Sequence, residues 1–394
     1  MKKLLTIAAL TATTLTAQAE VRINGFANLI GGVTSSDETL YGYTDEMNFS
    51  EESLFAIQIS GDINDKMTAT GQLVARGDDD YKASFDWAYL TYQATDNLEV
   101  SVGRFRLPLF SYSASSEVGY SFHWVTTPQT VYDVQFNNLE GIKLDYSDYA
   151  GDWEYVLSGA YGTFTDDGDG VLTKGNNTIL LSAEAVYESL KIRAAVGNGN
   201  ISLDFSNAED PASRAAISAG LAGMRNAGLA TQNANLVSLA DNLEVIDDKA
   251  TFFGLSVLYD NFDWFVGGEI TEITVEDSFA NDDITYYVTA GRRLGKWTPS
   301  VTYQVFDAEL DIKFQDKINN IALSPLPEEN KQQLAGLAQA IQAGQLEDFS
   351  VISATLRYDL DTNVALKVDI SKLSDDIDPT ADATLLRFAV NYVF

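Results

Sequence analysis

The chain has 394 residues with 25 basic and 57 acidic side chains, a formal net charge of −32, and no cysteine. So acidic a surface argues against a nucleic-acid partner, because phosphates call for basic patches. A length of 394 residues suggests two or three domains, although barrels often run longer as one unit, and without cysteine the chain must be stable without disulfides.

The amino terminus has the pattern of an export signal. In MKKLLTIAALTATTLTAQAE, Lys2 and Lys3 precede an apolar stretch, and Ala17-Gln18-Ala19 fits a small-residue cleavage site. The apolar stretch is much shorter than the roughly 20 residues of a spanning helix. We therefore expect residues 1–19 to be a signal peptide and residues 20–394 to be an exported protein of one domain.

Strand-like segments follow along the rest of the chain. There are about sixteen, most of them close to the ~10 residues of a tilted membrane strand. They lie at 21–33, 53–63, 67–76, 84–94, 98–104, 139–147, 152–163, 177–187, 189–198, 250–259, 262–274, 284–294, 297–307, 349–360, 363–373 and 384–394.

The connections between these segments alternate in length. Tight links follow the even-numbered segments, as at Asn64-Asp65, Glu188-Ser189 and Asp361-Thr362, whereas longer acidic stretches follow the odd-numbered ones. Short turns on one side and long loops on the other are typical of an outer-membrane barrel, with the short turns in the periplasm. A soluble sandwich has no reason to sort its loops in this way.

Side-chain alternation favours the same architecture. In segment 152–163, Trp153, Tyr155, Leu157 and Tyr161 share one face, and Ser158 lies on the other. Aromatic residues near strand ends suit the interfacial girdles of a membrane protein. We therefore predict an all-β fold, a transmembrane antiparallel barrel with apolar side chains outside and polar side chains in the lumen.

The final segment, TLLRFAVNYVF, ends on Phe394. Because a barrel has no free edge, this strand should pair with the first. The whole mature chain resembles a Gram-negative outer-membrane porin of the sixteen-stranded, usually trimeric, general-diffusion type. That resemblance implies an outer-membrane location, contacts with membrane lipid and lipopolysaccharide, a homotrimer, and recognition of Phe394 by the barrel assembly machinery as an assembly signal.

A second point of resemblance follows the fifth strand, in SVGRFRLPLF. Porins carry a Gly-Arg pair there, followed by a loop that folds into the lumen; Gly103-Arg104 matches the pair, and residues 105–138 would be the constriction loop. Strict alternation would place Arg104 towards lipid, so we expect a bulge at Gly103 to turn it inward. The usual Pro-Glu-Phe-Gly-Gly stretch is missing, and Glu117 and Asp133 are the candidate acids.

The resemblance also implies a ladder of basic side chains on the wall opposite this loop. The alternation selects the inward-pointing bases Arg22, Lys143, Lys191, Arg193, Arg293, Arg357, Lys367 and Arg387. Inward-pointing acids by the same criterion are Asp145, Glu154, Glu184, Glu269 and Asp369. Facing an acidic loop, these bases would create a transverse field that sorts ions. Alternatively, the charges compensate one another and have no role in transport.

Two long external loops, residues 205–248 and 308–348, have apolar residues at helical spacing. Asp210-Pro211 is a plausible helix start, because proline suits the first helical position. The helices would either form a cap over the outer vestibule or pack on the loop crown or a neighbouring subunit.

Little in the sequence supports catalysis. His123 is the only histidine, and nucleophilic hydrolysis usually needs a base beside serine or cysteine. The stretch TDDGDGVLT at 165–173 lacks the bidentate acid of a calcium loop and is interpreted as a solvated acidic turn. We expect no enzyme activity, cofactor or metal site. The leading hypothesis is a passive, weakly cation-selective channel for small hydrophilic solutes and ions. A substrate-specific channel, or an enzyme or adhesin on the same barrel, are the alternatives.

Overall fold

In the computed structural model, sixteen antiparallel strands form a closed barrel in which each strand pairs with its neighbours in sequence. The structure describes residues 21–35, 38–134, 136–168, 171–204, 211–280, 282–308, 312–344 and 346–394. The predicted signal peptide lies outside these residues. The strands are β1 Val21–Thr34, β2 Leu54–Asn64, β3 Met67–Arg76, β4 Ala83–Gln93, β5 Leu98–Arg106, β6 Asn138–Ala150, β7 Trp153–Gly168, β8 Val171–Tyr187, β9 Leu190–Asp204, β10 Asp248–Asp260, β11 Trp264–Val275, β12 Asp283–Arg292, β13 Trp297–Ala308, β14 Asp348–Asp361, β15 Val364–Asp375 and β16 Thr384–Val393.

The first and last strands close the barrel. Their register runs from Phe26 opposite Val393 to Thr34 opposite Leu385. Beyond it, the backbone N–H groups of Gly25 and Phe394 each donate to the other residue's carbonyl at 2.9 Å. Closure removes the exposed edges that a sheet in lipid cannot tolerate. The predicted pairing of the carboxy-terminal segment with the first strand is confirmed.

The two faces of the wall differ as predicted for a membrane barrel. On β15, Val368 and Ile370 point outward and are 50% and 52% exposed, whereas the inward-pointing Lys367 and Asp369 are 1% and 2% exposed. Trp297 and Tyr358 contact each other on neighbouring strands at a ring distance of 4.5 Å. An apolar exterior over a polar interior is the inverse of a soluble barrel, because lipid is the outer solvent.

Three strands extend five or six residues further than the sequence predicted. β7 continues to Gly168, β8 already begins at Val171, and β9 continues to Asp204. The acidic stretch 165–173 was interpreted as a turn, but its described residues belong to β7 and β8, with residues 169–170 outside the described chain. A hairpin that rises above the membrane needs no apolar outer face, so its strands lack the signal that identified the others.

Five helices lie in the described parts of the loops. They are α1 Gln129–Tyr132, α2 Pro211–Thr231, α3 Ala234–Asn242, α4 Gln315–Asn319 and α5 Glu328–Ala343. No described helix has the length and apolar character needed to cross a membrane. The helices predicted in the two long loops are confirmed, and α2 begins with proline as expected; Asp210 lies outside the described residues.

The helices α2 to α5 pack on each other and on the barrel mouth. Their core contains Met224, Leu236 and Ile321, and it continues onto Ile201 and Val275 of the wall. By alternation these two wall residues point inward on β9 and β11. This register favours the cap among the arrangements left open by the sequence, because the helices rest on the lumen side of the wall.

Candidate channel constriction

The segment between β5 and β6, residues 107–137, is called the inner loop, and its described residues lie inside the barrel, where they contact inward-pointing side chains of the wall. It carries a cluster of buried apolar side chains, including Leu107, Phe110, Trp124 and Tyr132. These pack on inward-pointing wall residues such as Phe252. Burying each large apolar side chain stabilises the folded loop by about 1.5–3 kcal/mol relative to leaving that side chain exposed. The hydrophobic contacts therefore hold the loop against the wall of β6 to β12.

Basic wall residues bind the backbone of the inner loop. Lys367 donates to the carbonyls of Gly119 and Trp124, and Arg357 donates to those of Tyr120 and Phe122, both at 2.7 Å. Two more wall bases make similar contacts: Arg193 donates to Pro108, and Lys191 to Ser111 at 3.4 Å. A hydrogen bond from a charged donor contributes about 1.5–3 kcal/mol. These four bases are anchors for the loop.

Arg387 occupies a separate buried cluster beside the loop. Its guanidinium group lies 2.7 Å from Glu52, 3.1 Å from Asp369 and 3.0 Å from the Thr126 hydroxyl. The guanidinium also lies 5.1 Å from the ring centre of Tyr41. One base between two acids is compensated, so Arg387 adds no free positive charge to the lumen.

An acid anchors the loop as well. Glu269 on β11 accepts from the backbone N–H of Ser111 at 3.0 Å and from the Tyr132 hydroxyl at 2.7 Å. It thereby joins the beginning of the inner loop to its last helical turn.

Glu117 lies in a cluster of two acids and two bases, here called the charge quartet. Arg76 contacts both Glu117 and, at 3.3 Å, Asp86; Arg106 lies 3.1 Å from Asp86 and 3.2 Å from Glu117. Burial alone would raise the pKa of Glu117, but Arg106 and Arg76 outweigh it and hold the pKa below its ordinary value. Glu117 is therefore ionised, and its charge is balanced within the quartet.

Arg104 is not where the sequence predicted it. It pairs with Glu140 at 3.1 Å across β5 and β6, on the face from which Val102 and Ile142 point outward. The bulge expected at Gly103 lies instead in β4, where Gln72 and Leu73 pair with residues 87 and 85 and leave Asp86 as the extra residue. β5 keeps its alternation through Arg104, which therefore stays outside. Arg106 has the same parity, but it is the last residue of the strand, and its guanidinium reaches Asp86 and Glu117 of the quartet.

Asp133 also lies away from the quartet. It is exposed at the end of α1, and its backbone N–H donates to the Gln129 carbonyl at 2.9 Å. Burial raises the pKa of Glu347, and the charges of Asp375 and Asp133 raise it further. Asp133 therefore lies close to Glu347, at the outer mouth. The structure places the three predicted constriction residues at three separate positions.

The remaining predicted bases are each paired with an acid. Lys143 lies 2.8 Å from Asp145, and the Arg293 guanidinium lies 2.6 Å from Asp260. Arg22 binds Asp62 through two bonds of 2.7 and 3.0 Å in an exposed position. Lys191 and Arg193 are 3.8 and 3.7 Å from Glu184, and Arg357 is 2.7 Å from Asp359. This pairing favours the alternative in which lumen charges compensate one another.

His123 is a packed element of the inner loop. Its Nε2 lies 3.0 Å from the Thr289 hydroxyl, and its ring lies 4.1 Å from Trp124 and 4.3 Å from Phe265. Burial holds the pKa of His123 well below its usual range, and nearby Lys367 contributes to the shift. The imidazole is therefore neutral at neutral pH.

Two cavities with charged linings border the inner loop in the described part of the chain. The first, called the side passage, has a volume of about 310 Å³ and lies between the loop and the wall of β4 to β9. Its charged lining residues are Arg106, Lys143, Arg193 and Glu184. The second, called the lower cavity, has a volume of about 340 Å³ and lies between the loop and β10 to β14. The lining of the side passage is more basic than acidic.

A sixteen-strand barrel with an apolar exterior, and with a loop anchored across a charged interior, is the architecture of an outer-membrane channel. The family model described as Gram-negative porin matches residues 6–378, and the chain belongs to that family. Its location is the outer membrane. Comparison with curated protein sequences gives no match.

Solved structures share this fold. The outer-membrane channel DcaP of Acinetobacter baumannii aligns with a TM-score of 0.56 and 10% identity, over 96% of this chain and 98% of DcaP. OmpF of Salmonella typhi, in complex with daunomycin, aligns with a TM-score of 0.55 and 13% identity, over 95% of this chain and 98% of OmpF. An anion-selective porin from Comamonas acidovorans aligns with a TM-score of 0.53 and 10% identity, over 96% of this chain and 100% of that porin. These identities establish a common fold only.

Proposed function

We propose that the protein is a passive channel for small hydrophilic solutes and ions. The observation that carries this proposal is the inner loop, which is anchored on opposite sides of the lumen and borders cavities with charged, paired walls. Such a lining suits water and polar solutes. The family and the fold are those of a channel rather than an enzyme.

We further propose a weak cation preference that grows as salt concentration falls. Its source is the acidic exterior of a chain with a net charge of −32, not Glu117, whose charge is balanced by Arg76 and Arg106. Exposed loop charges are screened beyond ~8 Å at physiological salt, so they steer ions mainly in dilute solution.

In the membrane we propose a homotrimer in contact with lipid and lipopolysaccharide. OmpT, an outer membrane protein of Vibrio cholerae that aligns with a TM-score of 0.52 and 11% identity, has been solved in a trimer form. We also propose Phe394 as the assembly signal read by the barrel assembly machinery. Its ring is exposed on the outer face, 5.6 Å from that of Tyr392.

Liposome swelling and single-channel conductance test the proposed function. Purified protein should admit sugars at rates that fall smoothly with solute size, and should conduct potassium chloride in planar bilayers. Absence of both swelling and conductance would contradict the channel. Transport that saturates for one solute class would favour the substrate-specific alternative.

A further inference from the structure

The lower cavity combines aromatic rings with paired charges. Its lining includes Tyr112, Tyr120 and Phe265, together with two ion pairs, Arg293 with Asp260 and Arg357 with Asp359. Small-molecule sites are mostly apolar and aromatic, with a few placed polar groups that fix orientation. We propose that the lower cavity binds a neutral, polyhydroxylated solute the size of a single sugar ring. This inference rests on the proposed function and names a solute class for the channel.

The charge balance of the lower cavity excludes a simple ion as its preferred occupant. Each guanidinium has its own carboxylate, and His123, which also lines the cavity, is neutral. A charged ligand would be attracted by one member of each ion pair and repelled by the other. Hydroxyl groups both donate and accept, so they can bind a guanidinium and a carboxylate together.

Several polar atoms around this cavity have capacity for a further hydrogen bond. The Arg357 side chain uses Nε and Nη1 to bind Asp359, Tyr120 and Phe122, and its Nη2 has no hydrogen-bond partner among the described residues. The Tyr112 hydroxyl and the Nδ1 atom of His123 likewise make no hydrogen bond within the described chain. Asp359 and Asp260 are partly exposed to solvent, so their oxygens are accessible.

The rings supply the apolar part of such a site. Tyr112, Tyr120 and His123 are each partly exposed, so ring surface is available to the C–H face of a sugar. A volume of about 340 Å³ is at the lower end of the range for ligand sites, about 300–1,000 Å³. This size favours one ring over a longer saccharide.

The test measures glucose binding to purified protein in detergent by calorimetry, and glucose-dependent reduction of current in planar bilayers. We expect saturable binding to the wild-type protein. Tyr112→Phe removes only a hydroxyl, and Asp359→Asn only a charge. Each should weaken glucose binding by about three- to tenfold, the effect of losing one hydrogen bond. The control Asp62→Asn alters an ion pair outside the cavity and should leave glucose affinity unchanged.

The outcomes separate this inference from the proposed function. A protein that conducts ions normally but shows no saturable glucose binding would overturn the inference and leave the channel intact. Binding of an amino acid such as alanine in place of glucose would also overturn it, because a zwitterion would then be the fitting ligand. Glucose binding in detergent without any conductance would support the inference and contradict the channel.

Discussion

Replacing Glu117 with glutamine should shift ion selectivity towards anions. In the wild type, two guanidinium groups face two carboxylates in the quartet; in the variant, only Asp86 remains to balance Arg76 and Arg106. The Glu117 side chain is 19% exposed and Arg106 lines the side passage, so the uncovered charge lies at the lumen edge.

The magnitude follows from Coulomb's law. For an ion passing about 6 Å away in a water-like dielectric, one unit charge changes its energy by about 0.7 kcal/mol. The change has opposite signs for potassium and chloride, so the ratio of their permeabilities should fall by about tenfold. At 0.1 M salt the screening length is ~10 Å, which leaves about half of this energy and reduces the expected fall to about three- to fourfold.

The assay is the reversal potential under a potassium chloride gradient, with conductance recorded on the same channels. Glu140→Gln is the matched control, because it also removes a carboxylate paired with arginine but on the outer face of the barrel. An unchanged conductance would show that the loop has not moved. The reasoning is refuted if E117Q leaves the permeability ratio unchanged, or if E140Q shifts it equally.

Four further predictions follow from the anchors, the terminus and the loops. Lys367→Met should lower the midpoint of thermal unfolding and raise conductance, because each of the two unpaired loop carbonyls costs about 1–3 kcal/mol; unchanged values would show that the loop is held without Lys367. Removing Phe394 should reduce outer-membrane insertion, measured by membrane fractionation, far more than the thermal stability of barrels already formed; normal insertion would contradict its role as a signal. Replacing Asp79 and Asp80 with asparagine should weaken cation preference at 0.01 M salt, where the screening length is ~30 Å, and hardly at all at 1 M, where it is ~3 Å. An equal effect at both concentrations would contradict a role through long-range steering. Protease added to whole cells should cut within 205–248 or 308–348, and cleavage at the Asp361-Thr362 turn would show the opposite topology.

The strands could be predicted because their signal is local. Residues such as Val368 and Ile370 alternate with Lys367 and Asp369, and lipid outside with water inside imposes that alternation on each crossing. The upper parts of β7 to β9 lie beyond this constraint, so their extent could not be predicted. The links after the even strands were found because short turns and long loops alternate along the chain.

The site could be predicted only in part, because contacts between strands decide it. Alternation predicted that Lys367 and Arg357 point inward, but it could not predict their partners, because the backbone carbonyls of the inner loop have no sequence signal. Arg104 was misplaced because the bulge depends on the register between β3 and β4. Arg76 could have been found, since it continues the inward-facing positions of β3.

The anchors also determine how the channel can close. Displacing the inner loop would break the charged hydrogen bonds of Lys191, Arg193, Arg357 and Lys367 to its carbonyls. At about 1.5–3 kcal/mol for each of the four bases, displacement costs about 6–12 kcal/mol. Even the lower value leaves a displaced population of about 10⁻⁴ or less. The inner loop is therefore a fixed part of the lumen wall, and closures seen in single-channel records would have to arise elsewhere, with the helices α2 to α5 over the mouth as the candidate element.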